Sequence, residues 1–524
     1  MAKFKILVAD NDDSFRQSLA KDVLEPEGYQ VYQAGNPAEA RLILDRELIH
    51  LAIIDIRLTD DENPHDKSGF LLCAEIDPSV ARIVLTAYPP EGEPVVAFPA
   101  KVRVQVNNGF LMLYLLDKPV GPGILLEAVK KALDEEFDIV PNRRIGVLTS
   151  GGDSPGMNAA IWAVVRTAMS KNVEVIGVQD GYRGLVEDDM YKLPWNSVST
   201  IMEQGGTILG SGRYDDFTNP DVRKKAIPNI LRKSISGLVM IGGDGSMNGA
   251  KAFANDLKTE GVKFPIVAIP GSIDNDLWGT DMSLGAASAA DAMIDQLRNM
   301  IRPAQALRRI FVVEVMGAFS GYLALQSALG VGADAVIIPE QVVEVAPPAN
   351  STDSSSWKKR VKSVATQKNI LKQLEEIAVL LDGAFTAGKR FGFVVLAEGV
   401  QKSAPDNISR EKIRKDLEDL IKQWVHRKHP DVRAQELGYP VRGVSPNRFD
   451  IWLGAKLGMA AVDALLNDKA NLMVGWSEEK GIIETPFDEV VKKSNRAPEE
   501  IWEDRPKWQE LLTMQETLAS PPIR

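Results

Sequence analysis

A chain of 524 residues is longer than one hydrophobic core usually organises, so two or three domains are expected, each able to bury a sizeable apolar centre. The balance of 61 basic and 72 acidic residues, a formal charge of -11, argues against nucleic-acid or anionic-membrane partners while leaving room for local basic pockets. One cysteine, Cys73, excludes an internal disulfide; with no apolar run of membrane length and no signal-like N-terminus, the composition predicts a soluble cytoplasmic protein.

The chain opens with an apolar run from Lys3 to Ala9 that ends in Asp10-Asn11-Asp12-Asp13, and an amphipathic helix pattern follows over Ser14 to Leu24. The alternation repeats: Val31 to Ala34, a helix over Pro37 to Leu48, Leu51 to Asp55, Arg82 to Ala87, Leu115 to Pro119, and a helix to about Glu135. Strands alternating with helices predict a small five-stranded doubly wound α/β domain. Its first and third strands would deliver Asp10 and Asp55 to one sheet edge, where they could hold a divalent cation beside an Asp55 oxygen able to take a phosphoryl group. Thr86 and Lys118, ending later strands, are placed to bond and neutralise that group.

This set, over residues 4 to 135, resembles the receiver domain of two-component response regulators. The resemblance implies that Asp55 is the phosphoacceptor, Asp10 a metal-site acid, Thr86 the switch hydroxyl and Lys118 the phosphate partner. It implies a histidine kinase or phosphotransfer protein as a partner. The usual acidic pair stands here as Asp10-Asn11, so one metal-site charge is missing unless Asp12 substitutes for it, and the loop from Thr59 to Ser68 is long and polar.

A short linker, 136–143, contains Pro141 and leads into a catalytic region read as 144–477. There Ile145 to Thr149 reads as a strand that runs into Ser150-Gly151-Gly152-Asp153-Ser154-Pro155-Gly156-Met157-Asn158 before an Ala-rich helix. Gly237 to Ile241 repeats the design, ending in Gly242-Gly243-Asp244-Gly245-Ser246. Glycines let backbone N–H groups approach a phosphate, and the following helix N-terminus adds a favourable field. A third strand, Phe264 to Ile269, ends in Pro270-Gly271-Ser272-Ile273-Asp274-Asn275-Asp276, where carboxylates at i and i+2 can serve a reacting hydroxyl and a metal ion. Three such junctions would collect at the carboxyl edge of one open sheet, where these folds bind ligands. Downstream, Ala346 to Ser356 reads as a surface loop, and the tail over 478–524, with Trp502 and Trp508 among charges, as a surface helix without chemistry.

Together the three loops resemble the ATP-dependent 6-phosphofructokinase family over Arg144 to about Leu466. Further matches are Gly210-Ser211-Gly212-Arg213, Arg309 to Gly317, Ala397-Glu398-Gly399, Leu437-Gly438, Arg442-Gly443 and Ser445-Pro446. The resemblance implies a two-lobed α/β fold, Mg2+ as cofactor and ATP as phosphoryl donor. By it Asp274 is the base for the sugar's primary hydroxyl, Asp244 and Asp276 hold magnesium, and Ser272 bonds the transferring group. Gly151, Gly152, Gly243, Gly245 and Ser246 form the nucleotide loops, and Arg213 reaches the ATP phosphates. Arg309, Arg433 and Arg442 clamp the acceptor phosphate, with Met316, Gly317, Glu398 and the position of Tyr439 completing that site. Family equivalents of Arg309 and Arg433 serve a neighbouring subunit's site, implying a homo-oligomer, dimer or tetramer.

Gly245 and Gly271 stand where pyrophosphate-using relatives carry larger side chains, which favours ATP. Ala318 stands where the family commonly has Arg, and Tyr439 where a His often helps hold the 6-phosphate. Fructose 6-phosphate is the expected acceptor, with another ketose phosphate or a non-catalytic sensor as alternatives. Of the family's basic effector set Arg166 and Arg298 remain, whereas Trp162 and Trp195 replace arginines.

Overall fold

The structure is a computed structural model that describes residues 4–47, 49–60, 63, 66–76, 80–86, 100–106, 109–136, 143–345, 361–403, 410–424, 431–494 and 498–520. The chain forms two compact units: one of residues 1–146 with 168–176 and 225–236, the other of 147–167, 177–224 and 237–524. The polar stretch after Ala346 and the linker's central residues lie outside the described residues.

The first unit is built on strands β1 (Lys5–Ala9), β2 (Gln30–Ala34), β3 (Leu51–Asp55), β4 (Ala81–Thr86), β5 (Ala100–Val106) and β6 (Gly109–Asp117), in the order β2-β1-β3-β4-β6-β5. Apart from Lys5 at the start of β1 and Asp55 at the end of β3, both strands are apolar throughout because both sheet faces are covered, as a parallel sheet requires. Ile6, Val8, Leu51 and Ile53 pack on one face, and Leu7, Ala9, Ala52 and Ile54 on the other. The five expected strands are present, joined by a sixth: β5 pairs antiparallel with β6 from Ala100↔Leu115 to Val106↔Gly109. The alternation Lys101-Val102-Arg103-Val104-Gln105-Val106 suits such a strand. The expected helix over Ser14 to Leu24 is an α-helix from Asp13 to Ser18 that widens into a π turn over Leu19–Leu24. Helix Ser68–Glu75 starts so near β3 that a Cβ at Gly69 would lie 1.8 Å from the Asp55 carbonyl oxygen, so only glycine fits. The two later segments join this unit through buried Arg144, which bonds Glu174, and through Ser234 Oγ, 3.5 Å from Glu47 Oε2.

The second unit carries the later half of β7 (Arg143–Ser150) and the end of β8 (Val173–Val178), then β9 (Met190–Lys192), β10 (Leu238–Gly242) and β11 (Ile266–Pro270). A separate group follows: β12 (Ile310–Val315), β13 (Ala335–Ile337), β14 (Gly392–Ala397) and β15 (Val432–Leu437). The hairpin β16 (Leu472–Ser477) and β17 (Gly481–Pro486) completes the set. The sheets have orders β17-β16-β11-β10-β7-β8-β9 and β13-β14-β12-β15, a two-lobed arrangement as expected. Strands β7, β10 and β11 are neighbours, so all three motif loops leave the same sheet edge. The tail departs from expectation: after β17 come helices Phe487–Ser494, Pro498–Glu503 and Pro506–Ala519, and Trp508, only 3% exposed, belongs to the core of the smaller sheet. Among the described residues no helix is long and apolar enough to cross a membrane.

Candidate active site

The loop after β7 turns at Gly151, whose φ of 90° is in the left-handed region. Its partner loop after β10 is drawn against it: Ser246 Oγ donates to the Ser150 carbonyl at 2.9 Å, and a Cβ at Gly242 would sit 2.6 Å from that same oxygen. Gly151 N donates to the Gly212 carbonyl (3.1 Å) and Ser211 Oγ to the Gly151 carbonyl (2.9 Å), which places neighbouring Arg213 beside the glycine loops. At Gly152 a Cβ would approach Arg442 Nη1 to 2.7 Å, so the absent side chain leaves space for that guanidinium. Arg442 Nη1 donates to the Asp153 carbonyl at 2.8 Å.

The acidic loop is pinned from several sides. Gly271 N donates to the Gly242 carbonyl (3.0 Å), and Ser320 Oγ to the Asp274 carbonyl (2.7 Å). Asn275 is buried with φ 50°; its Oδ1 accepts from Ser283 N at 2.7 Å and its Nδ2 donates to the Asp281 carbonyl at 3.2 Å. The Asn between the two acids is therefore a loop brace, and its αL conformation turns the flanking carboxylates. A cavity of about 720 Å³ is lined by Gly151, Gly152, Arg213, Gly243, Asp244, Gly245, Ser246, Ser272, Asp274, Asp276 and Arg442. Asp274 Oδ1 is buried without a hydrogen-bond partner. Burial, reinforced by the charge of Asp276 and opposed by Arg442, pushes the Asp274 carboxyl up to about 7.

Asp244 and Asp276 share that cavity, and among the described residues no set of three or more ligand-type side chains converges. Two carboxylates that leave the remaining positions to phosphate oxygens and water suit magnesium, which keeps several waters and uses few protein ligands. The residues fit the ion.

Several expected acceptor residues lie elsewhere. Arg309 and Arg433, flanking β12 and in β15, both pair with Asp431 (2.5 and 2.8 Å) and do not line the cavity. Tyr439 is 81% exposed. Glu398 accepts from Ala318 N at 3.2 Å and pairs with Lys402; it, Met316 and Gly317 do not line the cavity, whereas Ala318 does. Conversely, Tyr182, Tyr214 and Phe217 line it, with the Tyr182 ring stacked on Phe217 at 4.2 Å and its hydroxyl donating to the Ser246 carbonyl. Tyr182 follows the end of β8, one strand over from β7, and that position was the available signal.

The first unit holds a second polar centre. Lys118 Nζ lies 2.6 Å from Asp10 Oδ2 and 3.0 Å from Asp55 Oδ2, and both carboxylates are buried. Burial alone would lower the Lys118 pKa, but the two carboxylates outweigh it and raise it. Asp12 caps the first helix: its Oδ1 accepts from Ser14 N and Phe15 N, and its own N–H donates to Asp10 Oδ1. Asn11 Oδ1 is instead the buried oxygen left without a partner. Asp10 and Asp55 with that oxygen offer the oxygen donors a magnesium ion takes. Thr86 ends β4 opposite Asp117; its side chain lies outside the described residues. Of the expected effector set, the Arg166 guanidinium carbon lies over Trp195, 3.2 Å from the ring centroid, and Arg298 pairs with Asp295.

The sequence profile of the phosphofructokinase family matches residues 144–465. The chain is 36% identical to an ATP-dependent 6-phosphofructokinase of Staphylococcus epidermidis over 354 residues, 68% of this chain and 95% of that protein. It is equally similar to ATP-dependent 6-phosphofructokinase 2 of Bacteroides thetaiotaomicron, 36% over 348 residues, covering 66% and 93%. Among solved structures, the phosphofructokinase of Pichia pastoris in the T-state aligns with a TM-score of 0.58 and 29% identity, over 78% of this chain and 41% of that one. The Saccharomyces cerevisiae phosphofructokinase aligns at 0.55 and 29%, over 72% and 48%, so the chain spans less than half of each fungal chain. With the glycine loops, the acidic loop and the cavity they share, these similarities place the chain in the phosphofructokinase family, as a phosphofructokinase-like phosphotransferase.

Proposed function

We propose that residues 144–477 transfer the γ-phosphoryl group of ATP, with Mg2+, to the primary hydroxyl of fructose 6-phosphate, under control of a receiver domain at 1–135 joined through 136–143. The observation that carries the reading is Asp274: a buried carboxyl with an unpartnered oxygen, beside Asp276 and Asp244, in a cavity floored by two glycine loops. In the reaction the sugar oxygen bonds to the γ-phosphorus as the bond to the ADP oxygen breaks, and the hydroxyl proton passes to Asp274. The glycine-loop N–H groups and Arg213 hold the nucleotide phosphates, Ser272 bonds the transferring group, and Asp244 and Asp276 hold Mg2+, which would neutralise charge between donor phosphates. Arg442 supplies the acceptor-phosphate cation within this chain. The separation of Arg309 and Arg433 from the cavity, both resting on Asp431, supports their service to a neighbouring copy in a homo-oligomer.

In the receiver reading Asp55 takes a phosphoryl group from a histidine kinase or phosphotransfer protein, Asp10 helps hold the metal ion, and Lys118, already bridging both acids, follows the new charge with Thr86 as the switch hydroxyl. A second acceptor reading rests on Ala318: a cavity wall without the usual arginine suits another ketose phosphate, or a sensor that binds without turnover. The test is a coupled assay of the purified chain over a panel of sugar phosphates with ATP or pyrophosphate. Turnover of fructose 6-phosphate with ATP above all other pairs supports the reading; tight binding without turnover of any pair would overturn it.

A further inference from the structure

The last helix, Pro506–Ala519, begins at Arg505, beyond the stretch that carries the family match. Its apolar face is locked into the smaller sheet's core: Trp508 packs on Tyr322 with centroids 5.6 Å apart, Leu512 is buried, and Gln515 Nε2 donates to the Ala333 carbonyl at 3.0 Å. The Arg505 carbonyl accepts from Trp508 N and Gln509 N, so the first helical turn fixes where its side chain leaves the backbone. That side chain reaches into the acidic loop. Arg505 Nη2 donates to the Leu277 carbonyl at 2.6 Å and Nη1 to the Thr280 carbonyl at 3.1 Å.

Leu277 directly follows Asp276, and the arc to Thr280 passes through Gly279 at φ 86°, outside any regular element. Such an arc has no ladder to hold its carbonyls. A planar guanidinium with two donors on one edge can bridge two carbonyl oxygens at once, which a lysine ammonium cannot reproduce in fixed geometry. The same loop is braced further by Asn275 Nδ2 on the Asp281 carbonyl, by Thr280 Oγ1, which donates to the Met282 carbonyl and accepts from Trp476 N, and by Trp278 N on Ser494 Oγ.

We infer that Arg505 is a positioning residue for phosphoryl transfer: the C-terminal helix carries it to the arc Leu277–Thr280, and its fork holds Asp274 and Asp276 in register with the nucleotide loops. The inference rests on the reading that these two acids act on the hydroxyl proton and the metal ion. It assigns a catalytic purpose to a tail that composition alone reads as surface decoration.

The experiment compares Arg505→Ala and Arg505→Lys with the natural sequence, with Leu518→Ser on the exposed face of the same helix as a control. Loosening a reacting group by about 1 Å costs up to about a hundredfold. Arg505→Ala should therefore lose about tenfold to a hundredfold in kcat while KM for ATP moves by less than about threefold. Amide exchange should accelerate within 274–284 and stay unchanged in strands β7 and β10. Arg505→Lys should restore only part of the rate, millimolar methylguanidinium should rescue Arg505→Ala, and Leu518→Ser should behave as the natural enzyme. A normal kcat in Arg505→Ala overturns the inference. So does a loss matched by a smaller folded fraction, faster exchange everywhere and no rescue. Asp274→Asn, assayed in parallel, separates the two claims. If it is inactive while Arg505→Ala is normal, only the clamp fails; if it turns over normally, the loop reading fails and the clamp falls with it.

Discussion

At the scale of single residues, the local environment of Asp274 sets what the site can do. A base must be ionised to accept the hydroxyl proton, so a carboxyl held at about 7 should give kcat/KM an acid limb that falls about tenfold per pH unit below that value. Asp274→Asn should remove turnover by at least about a thousandfold and leave ATP binding by calorimetry nearly intact. Because the folded pKa lies above the unfolded one, folding binds a proton, and the natural chain loses stability as pH rises from the ordinary carboxylate range toward 7. Asp274→Asn should therefore melt higher than the natural chain at pH 8, and that gain should shrink toward pH 5. Ala318 lends itself to the reverse experiment: Ala318→Arg should lower KM for fructose 6-phosphate about tenfold if the pocket merely lacks a cation, as a charged hydrogen bond is worth roughly 1.5–3 kcal/mol. Activity lost with every sugar phosphate would instead show a pocket shaped for something else. Much of this site is legible in the sequence, because glycines and acids packed into short strand-to-helix turns have few other uses in that order. Tyr214 and Phe217 are not, since an aromatic residue lining a cavity reads like one filling a core, and Tyr182 is marked only by its place after β8. Arg505 is not either, because more than two hundred positions of chain separate it from the loop it touches, and spacing carries no trace of such a contact.

At the scale of elements, the loop that carries the acids and the helix that follows it share an anchor. Buried Asp450 accepts from Gly285 N (2.7 Å), Ser288 N (2.8 Å) and Ser288 Oγ, at the start of helix Ala286–Leu307, while Asn447 caps its own helix through Asp450 N. Burial raises the Asp450 carboxyl above its ordinary range, so its N–H donors are what make it tolerable. Asp450→Ala leaves those donors unpaired and should destabilise the chain by about 2–4 kcal/mol, read as a lower urea midpoint at unchanged slope. A shift below about 0.5 kcal/mol would show that water replaces the carboxylate freely. The parallel strands were readable from unbroken apolar runs, which only burial on both faces explains. Strand β5 is not legible in that way, although its polar-apolar alternation is in plain view, because an antiparallel strand breaks the strand-helix rhythm that organises the rest of its domain. The division of labour between Asp12 and Asn11 was hidden for another reason: a cap and a metal ligand use the same side chain, and only the helix start decides between them.

At the scale of the whole molecule, phosphorylation of Asp55 should alter kinase activity. A phosphoryl group would add charge where Lys118 now bridges Asp10 and Asp55, and a coupling of only about 1–3 kcal/mol changes a substrate or assembly equilibrium several-fold to about a hundredfold. The measurement compares activity and oligomeric mass with and without magnesium and beryllofluoride, in the natural sequence and in Asp55→Ala. If the mimic binds while both quantities stay fixed, the domain serves docking or localisation instead. The make-up of the first compact unit bears on how the protein is born. That unit draws on residues up to Gly146 and again on 168–176 and 225–236. A ribosome adds about 5–20 residues per second, so the N-terminal sheet leaves the exit tunnel several seconds before the last strip of its own unit has been made. During that interval the surface destined for Ser234 and its neighbours stands uncovered, and a nascent chain stalled short of residue 236 should be more readily cut by protease, or held by a chaperone, than one released beyond it.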